Sequence, residues 1–453
     1  MQTIINFQNK NKNLINYKKW FSKSLEKKID ALEILFNENK NLNIILEENK
    51  INEYVKSDLF SFIVRGLYKN KKTSIYLEKI SDEMIDEVLE TLKKQIEILS
   101  LKEKDFIFDG SSASYTFVEP ILFDFAKIPI QEKYNLLFDF KKKLFEKSRF
   151  LTKIESISYE ENIFHKKIVN SKGVDLEEKE SYACLVAVCI FQKDKNIEEI
   201  VKYFPVKKFS SFDIEKYVEE IISLGERKLG ALSLKSGSYP VVFSNEMFSK
   251  LLSSFSDIFS GNQAYRKLSK LLGKEKQKIA SSKVTIIDDP FFSESFFPSA
   301  FDDEGVPCQN KYIIKEGVFQ QFIHNLKTSN IFKTKPTGNF FDGSISMNNC
   351  YLNKGEKTFK EMISPIDKGV YIDYLIGLHA GVNSISGDFS VQASGFKIEK
   401  GKLTSPIKMI VVSGNFFDIL TNLKEIANDF VFKISGFGSA SVYVGDLTIA
   451  GEK

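Results

Sequence analysis

Apolar residues near the start of the chain, Trp20, Phe21, Leu25, Ile29, Leu32 and Leu35, recur at spacings of about three and four and predict one core-facing helical stripe. Residues 60–79 then place two apolar runs around a basic turn containing asparagine, which predicts a hairpin. Helical spacing returns over 81–99 through Met84, Ile85, Val88, Leu89, Leu92 and Ile96, with Ser81, Asp82 and Glu83 at the positive end of the helix. Residues 164–208 alternate turns, such as 170–173, with strand-like runs, and 211–228 are helical again through Ile214, Tyr217, Val218, Ile221 and Ile222. The unbroken apolar run 183–191, ACLVAVCIF, reads as a strand buried on both faces.

Residues 235–240, KSGSYP, interrupt both periodicities, and afterwards glycine-spaced strands dominate. They are expected to link an N-terminal α+β domain, 1–234, to a β-rich C-terminal domain, 235–453, which makes the fold class α+β. Past the linker, Phe248, Leu251, Leu252, Phe255 and Ile258 mark a helix over 245–259. Beyond Val284 short strands are separated by turns at 303–305, 316–317, 338–339, 353–355, 386–388 and 400–401.

At 453 residues and 43% hydrophobic content the chain can bury a large core. The 64 basic and 60 acidic residues nearly cancel, which argues against a nucleic-acid-tracking surface. The amino terminus lacks the apolar core of a secretory signal and no apolar run reaches membrane-spanning length, so a cytoplasmic protein without membrane association is expected. Cys184, Cys189, Cys308 and Cys350 are too sparse for a disulfide framework and show no zinc-binding spacing, so they read as packing thiols. The five-residue separation of Cys184 and Cys189 puts them on opposite faces of their strand.

The chemistry concentrates in two stretches, 286–307 (IIDDPFFSESFFPSAFDDEGVP) and 377–396 (GLHAGVNSISGDFSVQASGF), where glycine, aspartate and asparagine interrupt β-branched and aromatic runs. Asp302, Asp303 and Glu304 could act as acid and base or hold a cation, but a tight turn ending at Gly305, with the carboxylates capping local amides, is favoured. His379, Asp388 and Ser390 contain the residue types of a hydrolase triad without a strained nucleophile elbow. His165 and His324 sit among aromatic or apolar neighbours and read as ordinary hydrogen-bonded imidazoles.

Both stretches resemble the TldD/PmbA family, the modulator-of-gyrase or microcin-processing peptidases. In the family's metal-binding members the helix equivalent to 251–258 looks like LLHExxxH, with two imidazoles for zinc and a glutamate as general base. This chain reads LLSSFSDI there, so Ser253, Ser254 and Ile258 stand at the vacated positions, while Gly261, Tyr265, Arg266 and Lys267 resemble the metal-free branch. The ending over 445–451, with no cysteine beyond Cys350, fits that branch as well.

The resemblance implies a TldE/PmbA-type subunit with no catalytic residue, metal or cofactor of its own, paired with a metal-bearing TldD-type paralogue that carries zinc. Together the two would process unstructured peptides. Peptide-binding or interface candidates are Phe291, Phe292, Phe296, Phe297, Asp302, Asp303, Glu304, Gly305, Asn383, Gly387, Asp388 and Phe389. The four phenylalanines are expected in an exposed patch or in the core, and the strand after Asp388 is expected to offer an open edge or cleft wall for strand addition. Two alternatives stand beside this: a homodimeric peptide-binding module, and a hydrolase using Asp302, Glu304 and His324 as metal ligands.

Overall fold

The computed structural model describes residues 15–99 and 103–452. The amino-terminal stretch considered for targeting lies, up to residue 14, outside them. Helix α1 (Tyr17–Glu26) is followed by the strands β1 (Ala31–Glu47), β2 (Lys50–Tyr68) and β3 (Lys71–Leu77), then by helices α2 (Ile85–Ile98) and α3 (Ile130–Lys147). Next come β4 (Leu151–Asn170), β5 (Asp175–Lys193), β6 (Asn196–Val206) and helix α4 (Ile214–Lys228). The six strands form one antiparallel sheet in the order β3-β2-β1-β4-β5-β6.

Alternation along β1 decides which face goes where. Leu32, Ile34, Leu42, Ile44 and Leu46 point to a face covered by the helices, in one cluster with α1 and α2 and in another with α3 and α4. Glu33, Leu35, Asn37 and Asn39 point to the opposite face, where Leu35 meets Phe301 of the C-terminal half. One face of the sheet is therefore a floor for helices and the other a floor for the second half of the chain.

That half opens with β7 (Gly237–Phe243), α5 (Asn245–Phe255) and the short helix α6 (Gly261–Tyr265). A sheet in the order β10-β9-β8-β13-β19-β18 joins β8 (Ile286–Asp288), β9 (Lys311–Lys315), β10 (Val318–Phe319), β13 (Cys350–Leu352), β18 (Val431–Phe432) and β19 (Phe437–Ser439). Between these strands run α7 (Leu326–Phe332), the hairpin of β11 (Phe340–Phe341) with β12 (Ser344–Ile345), and α8 (Phe359–Ile363). The long strands β14 (Lys368–Ile376), β15 (Asp388–Glu399) and β16 (Lys402–Asn415) lead to α9 (Phe416–Asn422), β17 (Glu425–Ile426) and the final β20 (Val442–Ala450). Pairing of β16 with β20 closes the run β16-β15-β14-β7-β20 into a barrel. Helix α5 shares one large core with the barrel and the second sheet.

The α+β reading of a helix-and-sheet half followed by a strand-rich domain holds. Three local expectations do not. The first helix stops at Glu26, and Leu32 and Leu35 belong to β1, where the period-two alternation described above governs their burial. The supposed linker 235–240 already contains β7, a strand paired with both β14 and β20. Pro240 is tolerated there because it pairs only on the β20 side, opposite Asp446, while pairing with β14 begins at Val241. The strand after Asp388 has no open edge, since β15 pairs with β14 on one side and β16 on the other.

The predicted hairpin exists as β2 and β3, turning through Lys69 and Asn70 at positive φ. The turns at 316–317 and 400–401 likewise have both residues at positive φ. Cys184 and Cys189 are both buried in β5.

Candidate functional site

Helix α5 begins at Ser244, whose hydroxyl accepts the Met247 amide, and buries Leu251, Leu252 and Phe255. At the three vacated positions the chemistry is not that of a metal centre. The Ser254 hydroxyl turns back onto the carbonyl of Lys250, the Ser253 carbonyl accepts the Ser256 hydroxyl, and Ile258, 2% exposed, is part of the core. Zinc requires about three imidazole, thiolate or carboxylate ligands. A hydroxyl pair and a buried aliphatic side chain do not fit it. No group of three or more such residues is arranged to hold a metal ion among the described residues.

The stretch 377–396 packs against the end of this helix. Phe389, 3% exposed, meets Phe255 at 6.4 Å between ring centroids, and Phe255 stacks on Phe416 at 4.6 Å. Phe389 is therefore core, not a cleft wall. The Asn383 side-chain oxygen accepts the amides of Ile385 and Ser386 at 3.0 and 3.1 Å, an Asx turn that Gly387 completes at φ +83°. Asp388 is exposed, and its hydrogen bonds with Ser386 and Asn415 hold its carboxyl below the usual range. Ser390 shares its hydrogen bond with Ser413 at 2.9 Å. Neither Asp388 nor Ser390 is directed at His379, and the triad reading is not supported.

The first stretch does different work. Asp302, Asp303 and Glu304 are all buried, and each is committed. Asp302 Oδ1 accepts the amides of Glu304 and Val306 at 2.9 and 3.0 Å, and Oδ2 accepts that of Phe340 at 3.0 Å. Burial and the neighbouring Glu304 push its carboxyl upward, against the pull of those three amides. Asp303 Oδ2 accepts the Asp342 amide, and its carbonyl accepts Arg65 of β2. Glu304 pairs with Lys72 of β3 at 2.7 Å and accepts the Leu326 amide at 2.8 Å. Gly305 lies at φ +74°, facing Val174, while its carbonyl accepts Tyr115.

The turn thus inserts into the N-terminal sheet as a latch. His324 is close by, but its Nδ1 faces Thr328 at 3.1 Å, a Cβ on Gly261 would overlap its ring, and burial lowers its pKa to about 4. Asp302 and Glu304 have no free acceptor set to share with it, so the alternative metal constellation is not supported.

The phenylalanines divide. Phe292 packs with Tyr351 and Phe432, each at 4.8 Å, inside the C-terminal half. Phe297 meets Phe164 and Tyr182 of the N-terminal sheet at 5.8 and 5.7 Å, and Phe296 meets Tyr182 at 6.2 Å. All four rings, Phe291 included, are half-buried, between the exposed patch and the core packing that were expected.

Between this latch and the sheet lies a groove of about 670 Å³. Its floor is β1, β2, β4 and β5, and its wall carries Phe297, Ser299, Asp303, Phe341 and Asn348. No residue of 377–396 lines it. Two charged residues missed in the sequence organise the rim. Glu178 accepts the Ala300 amide at 2.6 Å and the Ser299 hydroxyl at 2.8 Å. Lys166 lies 3.3 Å from Glu178 and 3.5 Å from Asp303, and against the cost of burial these carboxylates hold its pKa above the usual lysine range. Only the register of β4 on β5, which sets Lys166 opposite Glu178, reveals the pair. The groove offers carboxylates, amides and aromatic faces with no activated nucleophile, an arrangement suited to binding.

Two family models match the chain, the PmbA/TldA metallopeptidase central domain over 123–229 and its C-terminal domain over 236–451. A metalloprotease PmbA homolog of Buchnera aphidicola is 28% identical over 292 residues, and the match spans 62% of each protein. A metalloprotease of Methanocaldococcus jannaschii is 25% identical over 445 residues, 92% of this chain and 94% of that one. Among solved structures, a protein described as a modulator of a DNA gyrase from Thermotoga maritima superposes with a TM-score of 0.89 at 26% identity, covering 96% of this chain and 99% of that one. TldE from Thermococcus kodakarensis, at 22% identity, shares the fold with a TM-score of 0.85 over 96% of this chain and all of its own. By its domains, its relatives and its fold, the chain belongs to the PmbA/TldD metallopeptidase family.

Proposed function

We propose that this chain is the non-catalytic, metal-free subunit of a heterodimeric TldD/TldE-type zinc peptidase, and that it binds unstructured peptide and completes the cleft of a metal-bearing partner. The observation that carries this reading is the end of α5 and the turn after it, where Ser253, Ser254 and Ile258 replace ligand chemistry with hydroxyls and a buried aliphatic side chain. The groove between latch and sheet supports the peptide-binding role, because it is open and sets the rings of Phe60, Phe164, Phe297 and Phe341 among polar and charged groups. Strand addition belongs to β3 and β6, the outer strands of the N-terminal sheet, since the barrel is closed.

In this reading zinc resides in the partner, and the pair works in the cytoplasm. No described helix is long and apolar enough to cross a membrane. Co-expression with an HExxxH-bearing relative from the same genome tests the assignment, through the size of the complex and the zinc content of each subunit. The expected result is a heterodimer with zinc in the partner alone. Stoichiometric zinc and peptidase activity in this chain by itself would overturn it, and a homodimer that ignores the relative would favour a stand-alone binding module.

A further inference from the structure

Cross-strand register lays two rows of side chains across the floor of the groove. In one row Ser61, Asn37, Lys166 and Glu178 lie opposite one another, and its charges are paired. The next row is Leu59, Asn39, Phe164 and Glu180. It has no cation. Glu180 makes no hydrogen bond or ion pair among the described residues, and Lys166 Nζ is already engaged by Glu178 and Asp303. The Asn39 side-chain oxygen is also enclosed without a partner. Between these two unused acceptors stands the ring of Phe164, which Phe297 meets edge-on.

A carboxylate, an amide oxygen and an aromatic face in one row make a site that is complete only with a positively charged donor. Burial and the nearby Glu178 push the Glu180 carboxyl up to about 8 against the pull of Lys166, whose ammonium is paired with Glu178 and Asp303 and makes no direct contact with Glu180. On the wall above, the Asn348 side-chain nitrogen is likewise enclosed and unbonded, a donor suited to a peptide carbonyl.

We propose that this row is a subsite for the cationic side chain, lysine or arginine, of an extended peptide, with Glu180 as its counter-charge and Phe164 and Asn39 beside it. The proposal rests on the peptide-binding reading and names the substrate feature that the groove selects.

The test uses the full chain and three fluorescent glycine-serine decapeptides that differ only at one central position, Phe-Lys, Phe-norleucine or Phe-Glu, with binding followed by anisotropy. The lysine peptide is expected to bind at least about tenfold more tightly than the norleucine peptide, and the glutamate peptide more weakly than either. Glu180→Gln is expected to abolish the lysine preference, so that the lysine and norleucine peptides bind the variant equally. Equal binding of lysine and norleucine peptides to the unaltered chain, or a preference that survives Glu180→Gln, overturns the subsite while the peptide-binding reading stands. If none of the three peptides binds, both fall together.

Discussion

His165 shows how one side chain can report on the state of the fold. It sits on β4 with Nε2 at 2.9 Å from Glu177 and Nδ1 at 3.4 Å from Glu38, ion-pair contacts without hydrogen-bond alignment. Burial alone would lower its pKa, yet the two carboxylates outweigh burial and raise it above the ordinary value. A raised folded-state pKa means that the protonated imidazole stabilises the fold fully below about pH 6.5, its unfolded value, and loses that contribution as pH rises through the folded value. The urea midpoint is therefore expected to fall as pH climbs above about 6.5, and His165→Gln should flatten that slope. An identical pH profile for the two proteins would remove His165 from the account. None of this was visible in a sequence that offered only an aromatic neighbour, because Glu38 and Glu177 reach His165 only once β4 is paired between β1 and β5.

Helix α5 belongs to the next scale, where a short stretch of sequence is nearly sufficient. Its amphipathic spacing and its apolar face are local, and the structure reproduces them, adding a cap at Ser244 and tightening the predicted final turn into a 3₁₀ segment at Ser256–Phe259. Placing a ligand histidine back at position 258 alone is expected to harm the protein. Ile258→His buries a polar ring where the core holds an aliphatic side chain, at a cost of about 2–4 kcal/mol in chemical denaturation. A loss below about 0.5 kcal/mol would mean that the site still tolerates a ligand. Elements whose character is set by neighbours fared worse in the sequence. The start of β1 reads as helix because Leu32 and Leu35 also fit a three-residue spacing, and β7 was hidden behind glycine and proline that only a partly paired barrel strand accepts.

At the scale of the whole molecule, the two halves are held by the acidic turn. Glu304, 2% exposed, ties Lys72 of the N-terminal sheet to the amide of Leu326 in the C-terminal domain. Replacing it with alanine leaves a half-buried lysine and a buried amide unpaired, so Glu304→Ala is expected to cost about 1–3 kcal/mol and to split calorimetric unfolding into two transitions. A single transition at the original temperature would show that the latch does not couple the halves. Turn chemistry at 303–305, the helical stripes, the β-rich second half and the absence of ligand residues on α5 were all dictated by neighbours within a few positions, where propensity and spacing act directly. The groove, the inward commitment of Asp302 to Glu304 and the absence of a direct ion-pair partner for Glu180 among the described residues required folding. They depend on strand register and on which face of a sheet meets the second domain, and the contacts of Lys72 with Glu304 and of Arg65 with Asp303 join residues 232 and 238 positions apart, beyond the reach of any local pattern.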